Sequence, residues 1–413
     1  MRGQRLRKPL TSDPEPDFIM KPEIKYLVIV CLLGFCGMGF AGDLNTLKKL
    51  IGTQDSLLVA DSQGQILFAQ NADKKLIPAS TLKILTSLTA LHYLGTDFRF
   101  VTEFYTDRDS NLKIKGYGDP VLISEVVAEI AETLSTKLGT FNNLVLDNSY
   151  FDPAPIPGVT VTLNPYDAPN GALCVNFNTV FFKREPDGSY SSAEPQTPLL
   201  PFALKKIAGY GLKQDRVILS QEQDEITLYA GAMFQYFLKQ QGILSEGGIR
   251  LGKVDKTDKL IFRYLSKFSL QDVIARLLEY SNNFIANQTL LAIGAKVYGA
   301  PATLEKGVQA ALSYAADVLK LKDIRLAEGS GISRENRISA KDLMVCLEAF
   351  EPYHSLMRHQ GREFFKTGSL NGVKTRAGYI DDGTGGMYRF AVMLNTPGKS
   401  TDAVMSRLLN ALP

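Results

Sequence analysis

Two short apolar runs, residues 56–60 and 65–69, flank the polar turn sequence Asp61-Ser62-Gln63-Gly64 and predict a β-hairpin. A short helix is expected before them, over 44–51. Apolar residues then recur at helical spacing from Pro78 to about Leu94. Strands are expected at 100–105 and 112–115, around the turn Asp107-Arg108-Asp109-Ser110. Residues 124–138 return to a helical period, with Ser124 at a capping position. Short strand patterns follow at 144–146, 172–177, 180–183, 217–219 and 225–229, separated by loops rich in Pro, Gly, Asn and Ser. Helical spacing resumes over 269–279, 282–298, 302–319 and 340–350. Strands at 364–369, 376–380 and 388–394 and a helix at 401–412 close the pattern. The last hairpin turns at Asp381-Asp382-Gly383-Thr384-Gly385-Gly386.

This order predicts an α+β protein. Two early and three late strands make one five-stranded antiparallel sheet with helices on its faces. The ends of the chain, 43–104 and 256–413, then form one domain, and 105–255 is a mostly β insertion, perhaps of two parts, within it. No fixed period indicates a repeat array.

Composition changes the picture little. Of 413 residues, 45% are hydrophobic and 22% charged, which suits a sizeable globular core. Lys and Arg number 46 against 43 Asp and Glu, so no nucleic-acid surface is expected. The N-terminus says more. Lys21 and Lys25 precede an uncharged apolar run at 26–40, then Ala41-Gly42-Asp43. That is the pattern of a secretory signal peptide, so 1–42 is read as a signal-peptide region and the mature protein as periplasmic. Cleavage is expected after Ala41; Met20 is an alternative start, and an uncleaved anchor is the alternative to cleavage. Neither Cys31 nor Cys36 follows a small residue, so no lipoprotein is expected. Cys174 and Cys346 remain, as one disulfide or, more in keeping with their apolar contexts, as two buried thiols. His92, His354 and His359 lack metal-ligand spacing, and no metal or other cofactor is expected.

The chemistry begins at Ser80-Thr81-Leu82-Lys83, where i and i+3 share a helix face. A serine needs a base within reach, and a lysine kept neutral by burial can be one. A second Ser-x-x-Lys, Ser110 to Lys113, lies in a turn that does not align the two side chains. Downstream, Ser281-Asn282-Asn283 falls in a loop between helices, and Lys366-Thr367-Gly368-Ser369 on a strand. Ser369-Leu370-Asn371 is a rival Ser-x-Asn that overlaps the lysine motif. Each motif alone has a bland reading: Ser281 as a helix cap, Lys366 as a solvated strand residue. Their joint occurrence in this order is far more specific.

The three motifs are those of class A β-lactamases and penicillin-binding proteins. The chain more closely resembles the D-alanyl-D-alanine carboxypeptidase/endopeptidase family, the low-molecular-mass class C penicillin-binding proteins. The resemblance extends through Gly116-Tyr117-Gly118-Asp119-Pro120, Asp147-Asn148-Ser149-Tyr150-Phe151, Tyr166-Asp167-Ala168-Pro169 and Gly329-Ser330-Gly331-Ile332-Ser333-Arg334, with Glu328 where Asp is usual. It implies a penicilloyl-serine transferase fold and an enzyme acting on peptidoglycan stem peptides, with β-lactams as covalent inhibitors. Ser80 would be the nucleophile, Lys83 the base and Ser281 the proton route to the leaving amine. Lys366 would help hold Lys83 neutral. Lys366, Thr367 and Ser369 would receive the substrate carboxylate, and Asn283 would bind the substrate amide. Gly368 would let the substrate backbone pass, and backbone N–H groups of Ser80 and Ser369 would form the oxyanion hole. Arg334 and Asp147 would read the stem peptide's diamino acid, against a reading of Arg334 as a structural ion-pair partner.

Alternatives from other classes are a β-lactamase and a non-catalytic acylatable sensor of antibiotics or wall fragments. The first lacks a Glu-x-x-x-Asn segment between the first two motifs; the second lacks a visible output module. The choice between carboxypeptidase and endopeptidase, and loose association with wall or membrane, stay open.

Overall fold

The computed structural model describes residues 46–160 and 162–412. The region 1–42 read as a signal peptide lies outside them, and among the described residues no helix is long and apolar enough to cross a membrane.

A 3-10 turn, Thr46–Lys49, leads into strands β1 (Asp55–Ala60) and β2 (Ile66–Gln70). A second 3-10 turn, Ala79–Leu82, runs into helix α1 (Lys83–Leu94), followed by β3 (Val101–Thr106), β4 (Leu112–Gly116) and α2 (Ser124–Ser135). The middle contains β5 (Thr140–Phe141), β6 (Leu144–Asp147), β7 (Thr179–Arg184), β8 (Tyr190–Ser192), α3 (Pro201–Ile207) and β9 (Gln214–Ile218). Then come α4 (Gln223–Gln240), β10 (Leu244–Ser245), β11 (Ile249–Leu251) and β12 (Lys259–Leu265). Four helices follow: α5 (Leu270–Tyr280), α6 (Asn283–Tyr298), α7 (Leu304–Asp317) and α8 (Ala340–Phe350). The last elements are β13 (Arg358–Gln360), β14 (Glu363–Leu370), β15 (Val373–Asp381), β16 (Met387–Leu394) and α9 (Thr401–Ala411).

The main sheet is antiparallel, in the order β13-β14-β15-β16-β1-β2. It contains the five expected strands, and short β13 adds a sixth. Both faces are covered, which explains why β1 is buried throughout. Leu57, Val59, Phe390 and Val392 pack under α9, whereas Leu58, Ala391 and Met393 pack under α1 and α8. That division follows the two-residue period of a strand.

The middle of the chain builds a five-stranded sheet, β11-β6-β4-β3-β12, with smaller sheets of three and two strands. Strand β3 pairs with β12 along its whole length. The chain therefore enters and leaves this region on adjacent strands, and both boundaries move outward from those drawn at 105 and 255. Residues 225–229, expected as a strand, belong to α4. Their β-branched and aromatic residues mislead over five positions. Over the longer window Ile226, Tyr229, Ala230, Met233, Phe234 and Leu238 keep a helical period and pack on the sheet.

Residues 172–177 are not a strand either. Asn176, Phe177 and Asn178 are successive left-handed residues, with φ of 49°, 58° and 54°. The Asn176 side chain accepts from the Ser124 backbone N–H at 2.8 Å and donates to Ser124 Oγ at 2.9 Å. The α2 N-terminus is thus satisfied from outside, and Ser124 is its first helical residue, not its cap. Cys174 and Cys346 are both free and buried.

Candidate active site

Ser80 sits on the 3-10 turn that precedes α1, and Lys83 is the first residue of α1. In a 3-10 turn the side chains at i and i+3 eclipse, so this pair meets more directly than on an α-helix. Lys83 Nζ lies 2.8 Å from Ser80 Oγ. The same nitrogen is 2.8 Å from Asn283 Oδ1 and 2.7 Å from the Ser330 carbonyl oxygen.

Those three neighbours accommodate either form of the amine, and its burial decides between them. Asn283 Oδ1 and the Ser330 carbonyl can only accept, and an uncharged amine has two hydrogens to give them. In the neutral form its lone pair is free to face the Ser80 hydroxyl. The electrostatics agree: Lys83 is fully buried, and burial, with the nearby Lys366 ammonium, holds its pKa well below 10.5. Glu328 acts in the opposite direction and is outweighed.

Lys366, on β14, donates to Ser281 Oγ at 2.7 Å and to the Thr367 carbonyl at 2.6 Å. Burial, reinforced by Arg358, lowers its pKa to about 7 against the pull of Glu279. Ser281 is the left-handed residue that ends α5, with φ of 53°. It joins that helix to Asn282, whose side chain caps α6 by accepting from the Ile285 N–H at 3.0 Å. The corner between two helices thus presents Ser281 and Asn283 together.

The three motifs close a triangle. Lys83 bonds to Asn283, Lys366 bonds to Ser281, and Gly368 lies against Ser80. A Cβ on Gly368 would sit 2.7 Å from the Ser80 nitrogen, 2.9 Å from Ala79 Cβ and 2.3 Å from Thr375 Oγ1. The bare position thus makes room for the serine turn, not only for a substrate. Across the turn, Gly331 (φ +85°) would place a Cβ 1.9 Å from the Ala79 carbonyl oxygen. Glycines on two separate segments therefore grip the turn that holds Ser80.

Among the described residues, β14 has no partner strand on its β13 side beyond Phe365. Residues 366–370 are therefore an open edge beside Ser80, with Thr367 and Ser369 exposed along it. Ser369 Oγ accepts from Lys374 at 3.1 Å. Such an edge can take an extended peptide by strand addition.

Two expected residues lie differently. Exposed Arg334 donates to the Asn371 carbonyl at the end of β14, a backbone contact rather than an ion pair. Asp147 is buried at the end of β6 and accepts from Ser149 N (2.9 Å), Ser149 Oγ (2.6 Å) and Val254 N (2.8 Å). Burial opposes its ionisation, but these bonds and Lys115, 3.6 Å away, keep its pKa below the usual value. Its carboxylate is occupied by the insertion, so a substrate contact would have to displace those partners. The rival Lys113 is also spoken for, paired with Asp258 at 2.8 Å.

Glu328 carries more of the site than its place in the motif suggests. Its buried carboxylate accepts from Ser330 N and Oγ (both 2.6 Å), Gly331 N (2.7 Å) and Asn336 Nδ2 (2.7 Å). Those bonds fix the loop whose Ser330 carbonyl holds Lys83. The available signal was an acidic residue directly before Gly-Ser-Gly. Among the described residues, no group of His, Cys, Asp and Glu could hold a metal ion.

Comparison with known proteins gives the same direction. The chain is 26% identical to D-alanyl-D-alanine carboxypeptidase DacB of Haemophilus influenzae, over 85% of this chain and 86% of that one. It is 25% identical to a D-alanyl-D-alanine carboxypeptidase of Actinomadura sp. strain R39, over 87% and 82%. Its fold matches the crystal structure of penicillin binding protein 4 from H. influenzae, with a TM-score of 0.71 at 21% identity, covering 86% and 94%. Another structure of that protein is a complex with a β-lactam. The D-Ala-D-Ala carboxypeptidase 3 (S13) family model matches residues 45–208 and 206–364, and the chain belongs to that family of serine-type carboxypeptidases.

Proposed function

We propose that this chain hydrolyses D-alanyl-D-alanine peptide bonds in peptidoglycan stem peptides through an acyl-enzyme on Ser80. The observation that carries this reading is the Lys83 amine, buried, depressed in pKa and 2.8 Å from Ser80 Oγ. Lys83 takes the hydroxyl proton as Oγ attacks the carbonyl carbon of the penultimate D-alanine. The C–N bond breaks, and the leaving nitrogen collects a proton from Ser281, which Lys366 orients and resupplies. Water then attacks the ester and restores the serine. The exposed edge from Thr367 to Ser369 receives the substrate's terminal carboxylate.

A β-lactam presents the same carbonyl and carboxylate, so penicillin acylates Ser80. The β-lactam complex of the Haemophilus protein supports that part of the reading. The substrate is extracytoplasmic, which accords with the basic and apolar run at 21–40 acting as an export signal. Ser80→Ala is expected to fold, to abolish D-alanine release from a pentapeptide and to bind no labelled penicillin. Release at the wild-type rate by that variant overturns the reading. Steady turnover of a chromogenic cephalosporin would point to a β-lactamase instead.

A further inference from the structure

A cavity of about 340 Å³ opens where α1 and α6 meet the insertion, and four aromatic residues line it: Phe98, Phe100, Tyr117 and Tyr150. Leu94, the last residue of α1, and Lys296, in the last turn of α6, line it as well. Ser80 precedes α1 and Asn283 opens α6. The cavity and the reaction centre therefore sit at opposite ends of the same two helices, separated by the length of α1, about 18 Å. The Tyr117 and Tyr150 rings meet at 62° and those of Phe98 and Phe100 at 81°, so the aromatic walls face in more than one direction. The polar groups are fixed by Glu103, which is 3% exposed. Its carboxylate accepts from Tyr105 Oη at 2.5 Å, Tyr117 Oη at 2.6 Å and Arg263 Nε at 2.7 Å. Those bonds consume the carboxylate and hold the Tyr117 ring and the Arg263 guanidinium in place. Arg263 Nη1, the Tyr150 hydroxyl and the exposed Lys296 ammonium have no partner among the described residues.

What this cavity offers a ligand is flat apolar walls with two cations and one hydroxyl among them. The volume suits a small ring, near the lower end of the range of about 300–1,000 Å³ for such sites. A pyranose has an apolar C–H face to lie on an aromatic ring and oxygens to meet a hydroxyl. The cations call for an anion on the same ring, since Arg263 and Lys296 only donate. We propose that the cavity is a glycan subsite for a pyranose carrying a carboxylate, the chemistry of a muramic acid whose lactyl carboxyl no longer bears a stem peptide. This rests on reading peptidoglycan as the substrate. A muramic acid still joined to its stem carries an amide there and brings no charge to Arg263 and Lys296. The subsite thus prefers stripped strands, and it holds the enzyme on the wall while Ser80 stays free.

The test titrates the enzyme with three sugars: the peptide-free disaccharide of N-acetylglucosamine and N-acetylmuramic acid, chitobiose, which lacks the carboxylate, and trigalacturonate. Wild type is expected to bind the muramyl disaccharide about tenfold or more tightly than chitobiose. Lys296→Glu reverses an exposed charge and is expected to remove about that factor for the muramyl sugar, with less than about a twofold change for chitobiose. Tyr150→Phe removes only the hydroxyl and is expected to weaken both sugars alike. Release of D-alanine from a soluble pentapeptide should stay within about twofold of wild type in both variants, which also shows that they fold. Equal affinity for the two disaccharides, binding of neither, or full muramyl binding by Lys296→Glu overturns the subsite. Tighter binding of trigalacturonate than of the muramyl disaccharide overturns the wall strand as its source. None of these results touches the acyl-enzyme reading, which falls only if Ser80→Ala still releases D-alanine.

Discussion

The Lys83 amine and the side-chain oxygen of Asn283 lie 2.8 Å apart, across 200 residues of sequence. The other end of the same amide donates to the Tyr166 carbonyl at 3.3 Å. One side chain therefore ties the buried amine to the insertion, and its two contacts fix which end is oxygen. Replacing the amide by a carboxylate puts negative charge against Lys83 and favours its ammonium form. Asn283→Asp is expected to move the acidic limb of the penicillin acylation profile to higher pH by on the order of one unit. A limb that stays in place would show that Asn283 does not govern the protonation of Lys83.

Lys366 makes a prediction about stability. Its pKa falls from 10.5 to about 7 on folding, so between those values the unfolded chain holds a proton that the folded protein has released. Stability then rises with pH across that window, and the penalty for burying the charge is fully present below about pH 7. Relative to Lys366→Met, wild type is expected to gain about 1–2 kcal/mol between pH 7 and pH 9. Denaturant titrations of both proteins at the two pH values measure the difference. A pH-independent gap would mean that the amine is not displaced from its ordinary pKa.

Glu328 is the next point of leverage. Its carboxylate accepts four short bonds from the 330–336 loop, and Ser333 N and Asn287 Nδ2 approach at 3.3 and 3.2 Å. An amide in its place would aim a donor at donors that already need an acceptor. Glu328→Gln is expected to cost about 1–3 kcal/mol of stability, as for buried donors left without their acceptor. It should slow acylation as well, because the Ser330 carbonyl that holds Lys83 moves with the loop. Thermal unfolding and penicillin acylation read the two effects separately; a stable variant with normal acylation would remove Glu328 from the site.

The side chains of the candidate site were legible because residue type at short spacing marks them, and the structure brings them together. Ser80 with Lys83, Ser281 with Asn283, and Lys366 with Gly368 each form a local unit, and the fold only has to bring the units together. Glu328 was harder to see as an organiser, since its partners Asn336 and Asn287 become neighbours only when the loop closes on α6. The second role of Gly368 was hidden for a similar reason: nothing near it in sequence announces the Ser80 nitrogen. In the insertion, a five-residue window at 225–229 favoured a strand, and only the packing of Met233, Phe234 and Leu238 on the sheet reveals the helix. Strand β12 was missed because its side chains are largely exposed or half-buried and leave no clear alternation.

That second role of Gly368 yields the sharpest geometric prediction. A methyl group there meets Thr375 Oγ1 at 2.3 Å, and the hydroxyl is committed to the Pro78 carbonyl at 2.7 Å. It also meets the Ser80 nitrogen at 2.7 Å, and that atom is backbone, with no rotamer to yield. The turn and β14 must therefore separate. Overpacking of this kind costs about 1–3 kcal/mol, which a protein of this size can survive. The proposed reaction is less tolerant, because separation moves Ser80 away from the strand edge proposed to receive the substrate carboxylate, and displacements near 1 Å can cost about a hundredfold in rate. Gly368→Ala is expected to fold with a modestly lower Tm and to lose penicillin acylation by about that factor. If Thr375 were the sole obstacle, adding Thr375→Ala would restore the rate; continued loss in the double variant locates the clash at the Ser80 turn itself.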